Sequence, residues 1–360
     1  PGEYGVSQHP LFPIYWLRRS CGGGGSKQVR GETTTGSESD SIILEGLRKY
    51  YGRQRDVAAV ADLSLSIHRG EIFALLGHNG AGKTTTISML TGMLEPTGYD
   101  AATVDGLDLE KDVDLIRTRI GTCPQFDILF DDLSAMQHME IFSTIKGITN
   151  AQSLAVLRRL SLPEDTQASS TFSGGMKRRL SVACAMVGGS KILFLDEPSS
   201  GLDPMSRRQL WDMIKEERNA GKTIVLTTHF MEEADYLGDR IGVMSHGRMY
   251  CCDTSSQLKQ KYGVGYYLTL VKAAPSEGTR AEGSNYDGDL ALKLCQKHCP
   301  GATMHHESMG DAAYLLPIDC LPAFGDLLLD VEAQLQAIGA SSYGIRMNSL
   351  EDVFVNISEK

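Results

Sequence analysis

No apolar stretch in this 360-residue chain approaches the about 18 consecutive residues that a membrane-spanning helix needs. A charged-then-apolar secretory leader is missing too. The chain opens on Pro1 rather than Met, which reads as an excised piece of something longer. Its eight cysteines lack the spacing of a disulfide framework, so free thiols in a reducing, cytosolic setting are expected. Basic charge is in deficit: 35 Lys and Arg face 45 Asp and Glu, for a net charge of -10. That balance argues against a surface built mainly for nucleic-acid phosphates, and no nucleic-acid partner is expected. What the chain does have is 41% hydrophobic residues, enough for packed cores, in a length that suits about two domains. Its 38 glycines exceed the usual share of about 7% and point to glycine-dependent loops.

Three stretches differ in character. In residues 1–40 an apolar, aromatic cluster, Leu11 to Leu17, is broken by Pro13 and followed by Arg18 and Arg19. Gly22 to Gly25 and a Ser/Thr/Gly/Glu run come next, the composition of a flexible linker. Aromatics beside an Arg pair also stand where a chain leaves a membrane on its cytoplasmic side, and an unstructured terminus is the plain alternative. Residues 41–263 alternate short buried-strand patterns with helical ones. Ile72–Leu76, Ile192–Leu195 and Thr223–Thr227 are such strands, and they imply an α/β domain with a parallel sheet and helices on both faces. Residues 264–360 read as strand (Gly265–Val271), polar loop (Ala273–Gly288) and helix (Asp289–His298). Two short strands (Thr303–His306, Ala312–Leu316) follow, then a helix bearing Phe324, Leu327, Leu328, Val331 and Leu335. A strand (Tyr343–Met347) and a helix from Leu350 end the chain. This βαββαβ order predicts a small α+β domain of the ferredoxin-like kind.

The chemistry starts at Gly77-His78-Asn79-Gly80-Ala81-Gly82-Lys83-Thr84, a complete GxxxxGK[ST] between a buried strand and a helical pattern over Thr85–Leu94. Glycines let backbone N–H groups turn inward on phosphates, the helix start adds its dipole, Lys83 supplies a point charge, and the Thr84 hydroxyl suits Mg²⁺. Ile192 to Leu195 then delivers Asp196 and Glu197 at a strand's C-terminal end, where open parallel sheets bind ligands. Asp196 suits Mg²⁺ held through its water, and Glu197 suits proton abstraction from an attacking water. These two elements define a P-loop NTPase.

The segment between them is more specific. Phe172-Ser173-Gly174-Gly175-Met176-Lys177-Arg178-Arg179-Leu180 resembles the signature motif of ATP-binding-cassette (ABC) ATPases, a second anion site at a helix start. Gln125 in Cys123-Pro124-Gln125-Phe126-Asp127, Ser200-Gly201-Leu202-Asp203, His229 and Tyr51 follow the family's order. The resemblance covers about residues 42–262. It implies a RecA-like parallel core with a helical subdomain and an antiparallel β subdomain, Mg²⁺ and ATP as cofactors, and ATP hydrolysis. The implied nucleotide contacts are Tyr51, Gly77, His78, Asn79, Gly80, Ala81, Gly82, Lys83, Thr84 and Thr85. Thr84, Gln125 and Asp196 would hold Mg²⁺. Lys83, Gln125, Glu197 and His229 would be the catalytic groups. Ser173, Gly174, Gly175 and Met176 would act on a second cassette's nucleotide in a head-to-tail pair, and Asp203 would link the two sites.

Met-Lys-Arg-Arg-Leu, Gly80 to Thr86 and Cys123 to Asp127 are similar to the A subfamily, the large lipid exporters. Pro1-Gly2-Glu3-Tyr4-Gly5 resembles that subfamily's lead into its first cassette. Residues 264–360 resemble the regulatory domain that ends in a motif like Ser349-Leu350-Glu351-Asp352-Val353-Phe354. Phe172 and Ser199-Ser200 depart from the commoner residues without removing a catalytic group. The implied setting is the cytosolic face of a membrane, with transmembrane domains as partners. A soluble ABC ATPase of another class is the competing reading. Cys295, His298, Cys299, His305 and His306 cluster in a spacing that fits no familiar Zn²⁺ pattern. They read as a core helix with free thiols, as does the pair Cys251-Cys252.

Overall fold

In the computed structural model the described residues are 40–52, 57–147, 151–163, 166–263, 265–273 and 286–358. The linker expected over residues 1–40 lies outside them apart from Asp40, as does most of the loop expected over 273–288. The chain divides into two compact units, the first ending at Cys252 and the second running from Asp253.

Ten strands serve the first unit: β1 (Asp40–Tyr51), β2 (Val57–His68), β3 (Ile72–Leu76), β4 (Ala101–Val104), β5 (Leu107–Asp108), β6 (Ile120–Cys123), β7 (Ile192–Asp196), β8 (Thr223–Thr228), β9 (Arg240–Ser245) and β10 (Arg248–Asp253). They form a six-stranded sheet in the order β10-β9-β3-β8-β7-β6 and a four-stranded sheet in the order β2-β1-β4-β5. From β9 to β6 the first is parallel, as the apolar runs of β3, β7 and β8 predict. Every residue of those three strands is buried, the mark of a sheet covered on both faces. The second sheet is antiparallel and half-exposed. The two share a core in which Leu44, Leu47 and Leu63 meet Phe73, Leu75, Phe194 and Val225. Each such side chain contributes roughly 1.5–3 kcal/mol by leaving water.

The helix after β3 runs Lys83–Leu90 and stops short of the Leu94 expected from the pattern. Thr91 Oγ1 bonds back to the Ile87 carbonyl at 2.9 Å, and Gly92 turns left-handed at φ 68. Helices Ala135–Ile145 and Ala151–Arg159 fill the interval between β6 and β7, where a helical subdomain is expected. Ser134 and Gln137 close a capping box on the first of them.

The second unit holds an antiparallel sheet of β11 (Tyr266–Lys272), β12 (Thr303–Glu307), β13 (Asp311–Leu316) and β14 (Ala340–Met347), ordered β12-β13-β11-β14. With helices Gly288–His298 and Phe324–Ile338 as crossovers, this is the βαββαβ order read from the sequence. Its core joins Leu268, Leu270 and Tyr314 to Leu294, Phe324, Leu327 and Val331.

The division between units falls eleven residues before the expected boundary after residue 263. Helix Ser255–Tyr262 belongs with the second unit. Its Leu258 is fully buried, and Asn356 Nδ2 of helix Leu350–Ser358 donates to the Tyr262 carbonyl at 2.9 Å. Asn348 Nδ2 likewise donates to the Lys259 carbonyl at 3.4 Å.

Cys295 and Cys299 lie in the second core, where burial pushes both thiols up to about 12. Their neighbours in sequence go elsewhere: His298 Nε2 pairs with Asp330 at 2.7 Å, and the His305 ring packs on Tyr267. In the first unit Cys251 is buried, and Arg240 Nη2 donates to Cys252 Sγ at 3.3 Å.

Candidate nucleotide site

The loop between β3 and helix Lys83–Leu90 is shaped by close backbone approaches. A Cβ on Gly77 would come within 2.5 Å of the Met244 carbonyl, and one on Gly82, at φ 101, would strike the Ala59 carbonyl. Glycine is therefore required at both. Ala81, Gly82 and Lys83 are buried within the loop, while His78, Asn79, Gly80 and Thr84 are exposed and Thr85 is half-buried.

Lys83 is 5% exposed. Its Nζ donates to the carbonyls of Gly77 (2.7 Å) and His78 (3.1 Å), so the ammonium sits inside the ring of the loop. Burial holds its pKa below the usual lysine value, although the nearby Glu197 and Asp196 carboxylates work the other way. Asp196, 2% exposed, is the complementary case. Burial raises its pKa, and the neighbouring Glu197 charge adds to this. Hydrogen bonds from Thr227 and Thr84, and the Lys83 charge, pull it down only in part. The Thr84 hydroxyl donates to Asp196 Oδ1 at 3.3 Å, and the Thr227 hydroxyl donates to the same oxygen. A buried cation bonded to neutral carbonyls and a buried carboxylate beside a hydroxyl are suited to an anion and a hard cation, respectively. This oxygen donor set fits Mg²⁺, and the loop fits a polyphosphate.

Glu197 follows directly and adopts φ 49, left-handed for a non-glycine residue. Its N–H is shared between the carbonyl (3.1 Å) and hydroxyl (3.0 Å) oxygens of Thr227 on β8. This aims the carboxylate at the end of β8, where Oε1 lies 3.3 Å from His229 Nδ1. Lys83, Thr84, Asp196, Glu197 and His229 thus meet at the C-terminal ends of β3, β7 and β8.

The remaining expected site residues stand apart from that group. Gln125 is on an exposed turn after β6, and no hydrogen bond joins its side chain to Thr84 or Asp196. Tyr51 ends β1 with the Lys49 ammonium 5.4 Å from its ring centre. Ser173 Oγ accepts from Met176 N at 3.2 Å and caps helix Gly174–Met186, while Gly174 fronts open space. Asp203 caps helix Pro204–Asn219 by accepting from Ser206 N at 3.0 Å, and hydrogen bonds from the Ser206 side chain and N–H hold its carboxyl below the usual range. Two residues given no role from sequence complete the neighbourhood. Thr227 binds both carboxylate positions, and Arg178 lies buried behind them. Thr227 has no motif of its own, and Arg178 lies within the signature segment without a role assigned by it. Thr227 looks like any β-branched strand residue, and Arg178 looks like one more base on a helix face.

A glycine-rich loop between strand and helix, adjacent carboxylates at a strand's end with a histidine beside them, and a capped Ser-Gly-Gly helix, on this two-sheet frame, have the arrangement of an ABC ATPase cassette. Residues 60–200 match the family model described as ABC transporter. The chain is 38% identical over 379 residues to the human (Homo sapiens) "Phospholipid-transporting ATPase ABCA3", covering 100% of this chain and 22% of that protein. It is 39% identical over 325 residues to "ATP-binding cassette sub-family A member 17" of Rattus norvegicus, covering 88% of this chain and 18% of that one. A solved "ATP binding subunit of ABC transporter" superposes with a TM-score of 0.57 at 27% identity, over 62% of this chain and 93% of that one. A dimeric post-hydrolysis cassette bound to ADP and Pi shares the fold with a TM-score of 0.55 at 24% identity, over 59% of this chain and 98% of that one. The chain carries an ABC transporter domain and is similar along its length to A-subfamily ABC proteins. It spans about a fifth of the length of these curated relatives.

Proposed function

We propose that this chain is the ATP-hydrolysing cassette of a lipid exporter, working as one half of a head-to-tail pair on the cytosolic face of a membrane. The observation that carries the reading is a division of labour. Lys83, Thr84, Asp196, Glu197 and His229 converge, while Ser173 and Asp203 only cap their own helices and Gly174 is open. A donor-bearing helix start that, among the described residues, serves no other group suits a nucleotide held by a second cassette.

In this reading the Lys83 ammonium turns from the Gly77 and His78 carbonyls to the β- and γ-phosphates of ATP, and Tyr51 stacks on the adenine. Thr84, Asp196 and Gln125 hold Mg²⁺, which when bound neutralises phosphate charge. Glu197 takes the proton of the attacking water as its oxygen bonds to the γ-phosphorus, and ADP leaves. His229 stabilises the charge that develops there. Such positioning suffices for phosphoryl transfer. Closure on ATP and reopening after hydrolysis would move attached transmembrane domains, with residues 264–360 as a regulatory unit. The phospholipid named for the human relative supplies the cargo class.

The test is specific ATPase activity against protein concentration, with and without an added second cassette. Activity that climbs with either supports the shared site. A flat, high value at nanomolar protein contradicts it.

A further inference from the structure

The parallel ladder between β6 and β7 ends at the pair Cys123–Leu195. Both strands run on as Pro124-Gln125 and Asp196-Glu197-Pro198, and neither proline has an N–H to offer the other segment. The carbonyls there need a donor from elsewhere, because a buried carbonyl left without a partner is costly.

Arg178, on the second turn of helix Gly174–Met186 and 3% exposed, meets that need. Its Nη1 donates to the carbonyls of Pro124 (2.6 Å) and Gln125 (3.2 Å) and to Asp127 Oδ1 (3.1 Å). Nη2 donates to the carbonyls of Asp196 (2.5 Å) and Glu197 (2.8 Å), and Nε to that of Pro198 (3.1 Å). All three nitrogens are engaged, and their acceptors are split between the glutamine turn and the carboxylate strand. Only a planar fork spans both. A lysine ammonium is a single point, and a glutamine amide reaches one side.

Glu197 depends on this clamp. Its left-handed conformation is strained for a non-glycine residue and persists only where its surroundings fix it. Thr227 fixes the N–H side of the residue and Arg178 the carbonyl side. The phosphate loop is shaped independently, by Gly77 and Gly82 against Met244 and Ala59.

We propose that Arg178 is a positioning residue for hydrolysis, holding the Gln125 turn and the Glu197 peptide as one body so that turnover, but not nucleotide binding, depends on it. This rests on the reading of Glu197 as the proton acceptor. When the clamp is lost Glu197 relaxes toward ordinary backbone angles and its carboxylate leaves the line of attack, while Lys83 still holds phosphate.

The test uses the full chain with its partner cassette and measures kcat, Mg-ATP affinity and Tm for Arg178→Lys, Arg178→Gln and Asp127→Asn. In Arg178→Lys and Arg178→Gln kcat falls about 10- to 100-fold, the scale of a 1 Å misplacement, while affinity stays within about threefold of wild type. Asp127→Asn, which removes one anchor, falls between these and wild type. Millimolar guanidinium ion restores part of the lost kcat in Arg178→Gln and none in Glu197→Gln. Wild-type kcat in folded Arg178→Gln overturns the proposal. So does a parallel loss of binding and turnover with a lowered Tm, which marks a merely structural arginine. If Arg178→Gln does not fold, Arg178→Lys and Asp127→Asn decide on the same criteria. Glu197→Gln separates the two readings: full turnover there fails the reading of the site itself. An inactive Glu197→Gln beside fully active Arg178 variants fails only the clamp.

Discussion

Oε1 of Glu197 lies 3.3 Å from Nδ1 of His229. The carboxylate is 11% exposed and the imidazole 42%, so the acid is the more buried partner of the two. An amide at 197 keeps the volume and loses the ability to take a proton. Glu197→Gln is therefore expected to lower kcat by about 10²–10⁴-fold while nucleotide affinity is retained. Single-turnover hydrolysis and equilibrium binding of labelled ATP check it. Lost binding with retained turnover per bound ATP would make Glu197 a structural residue.

Lys83 makes a different prediction, because its ammonium is bonded to two loop carbonyls. Lys83→Met keeps most of the stem and removes the charge. Affinity for Mg-ATP should fall at least about tenfold, the worth of one charge-assisted contact. Turnover should drop with it, and a fluorescent-nucleotide titration reads the change. Wild-type ATPase rates in this variant would refute the phosphate-loop assignment.

Asp196 carries a pH prediction. Burial raises its folded pKa above the unfolded value, so between the two the folded state holds the extra proton. The stabilising contribution is present in full below the unfolded pKa of about 4 and is lost as pH climbs through the folded value. Above that value the buried carboxylate is ionised and costs stability. Asp196→Asn should then raise the nucleotide-free Tm by about 2–4 °C at pH 7, equivalent to about 1 kcal/mol in a domain of this size. It should also flatten the fall in Tm that wild type shows as pH rises above about 4, and the rise in Tm that Mg-ATP gives wild type should shrink or disappear. Thermal melts with and without Mg-ATP decide it. A lower nucleotide-free Tm in the variant would count against the argument.

Much of this site could be read from the chain alone because its chemistry is local. Gly77 to Thr84 must be contiguous to wrap phosphates, and Asp196-Glu197 must follow an apolar strand to stand at its end. The βαββαβ unit was legible for a similar reason, since each element there carries its own period. Arg178 was not, because its role depends on where two proline-terminated strands stop pairing. The helix at 83–90 ends four residues before the sequence pattern does. Its apolar pattern continues through Met93 and Leu94, and the stop comes from Gly92 and the Thr91 side chain. The division after Cys252 was hidden by distance: helix Ser255–Tyr262 finds its partner almost a hundred residues later.

That last contact leads to a truncation experiment. Ending the chain after Tyr262 would retain helix Ser255–Tyr262 but strip Asn348 and Asn356 from its carbonyls and expose Leu258, which is fully buried in the intact chain. The cost of that exposure is roughly 1.5–3 kcal/mol, enough to unfold an eight-residue helix that has little stability alone. Ending after Cys252 avoids it. Residues 40–252 should bind Mg-ATP as the full chain does and resist protease. In residues 40–262 the last ten residues should be clipped at a rate typical of unfolded chain. Limited proteolysis with mass readout, beside a nucleotide titration of both fragments, distinguishes the boundaries. If 40–262 is folded to its end and 40–252 is not, helix Ser255–Tyr262 belongs to the cassette and the boundary at 263 stands.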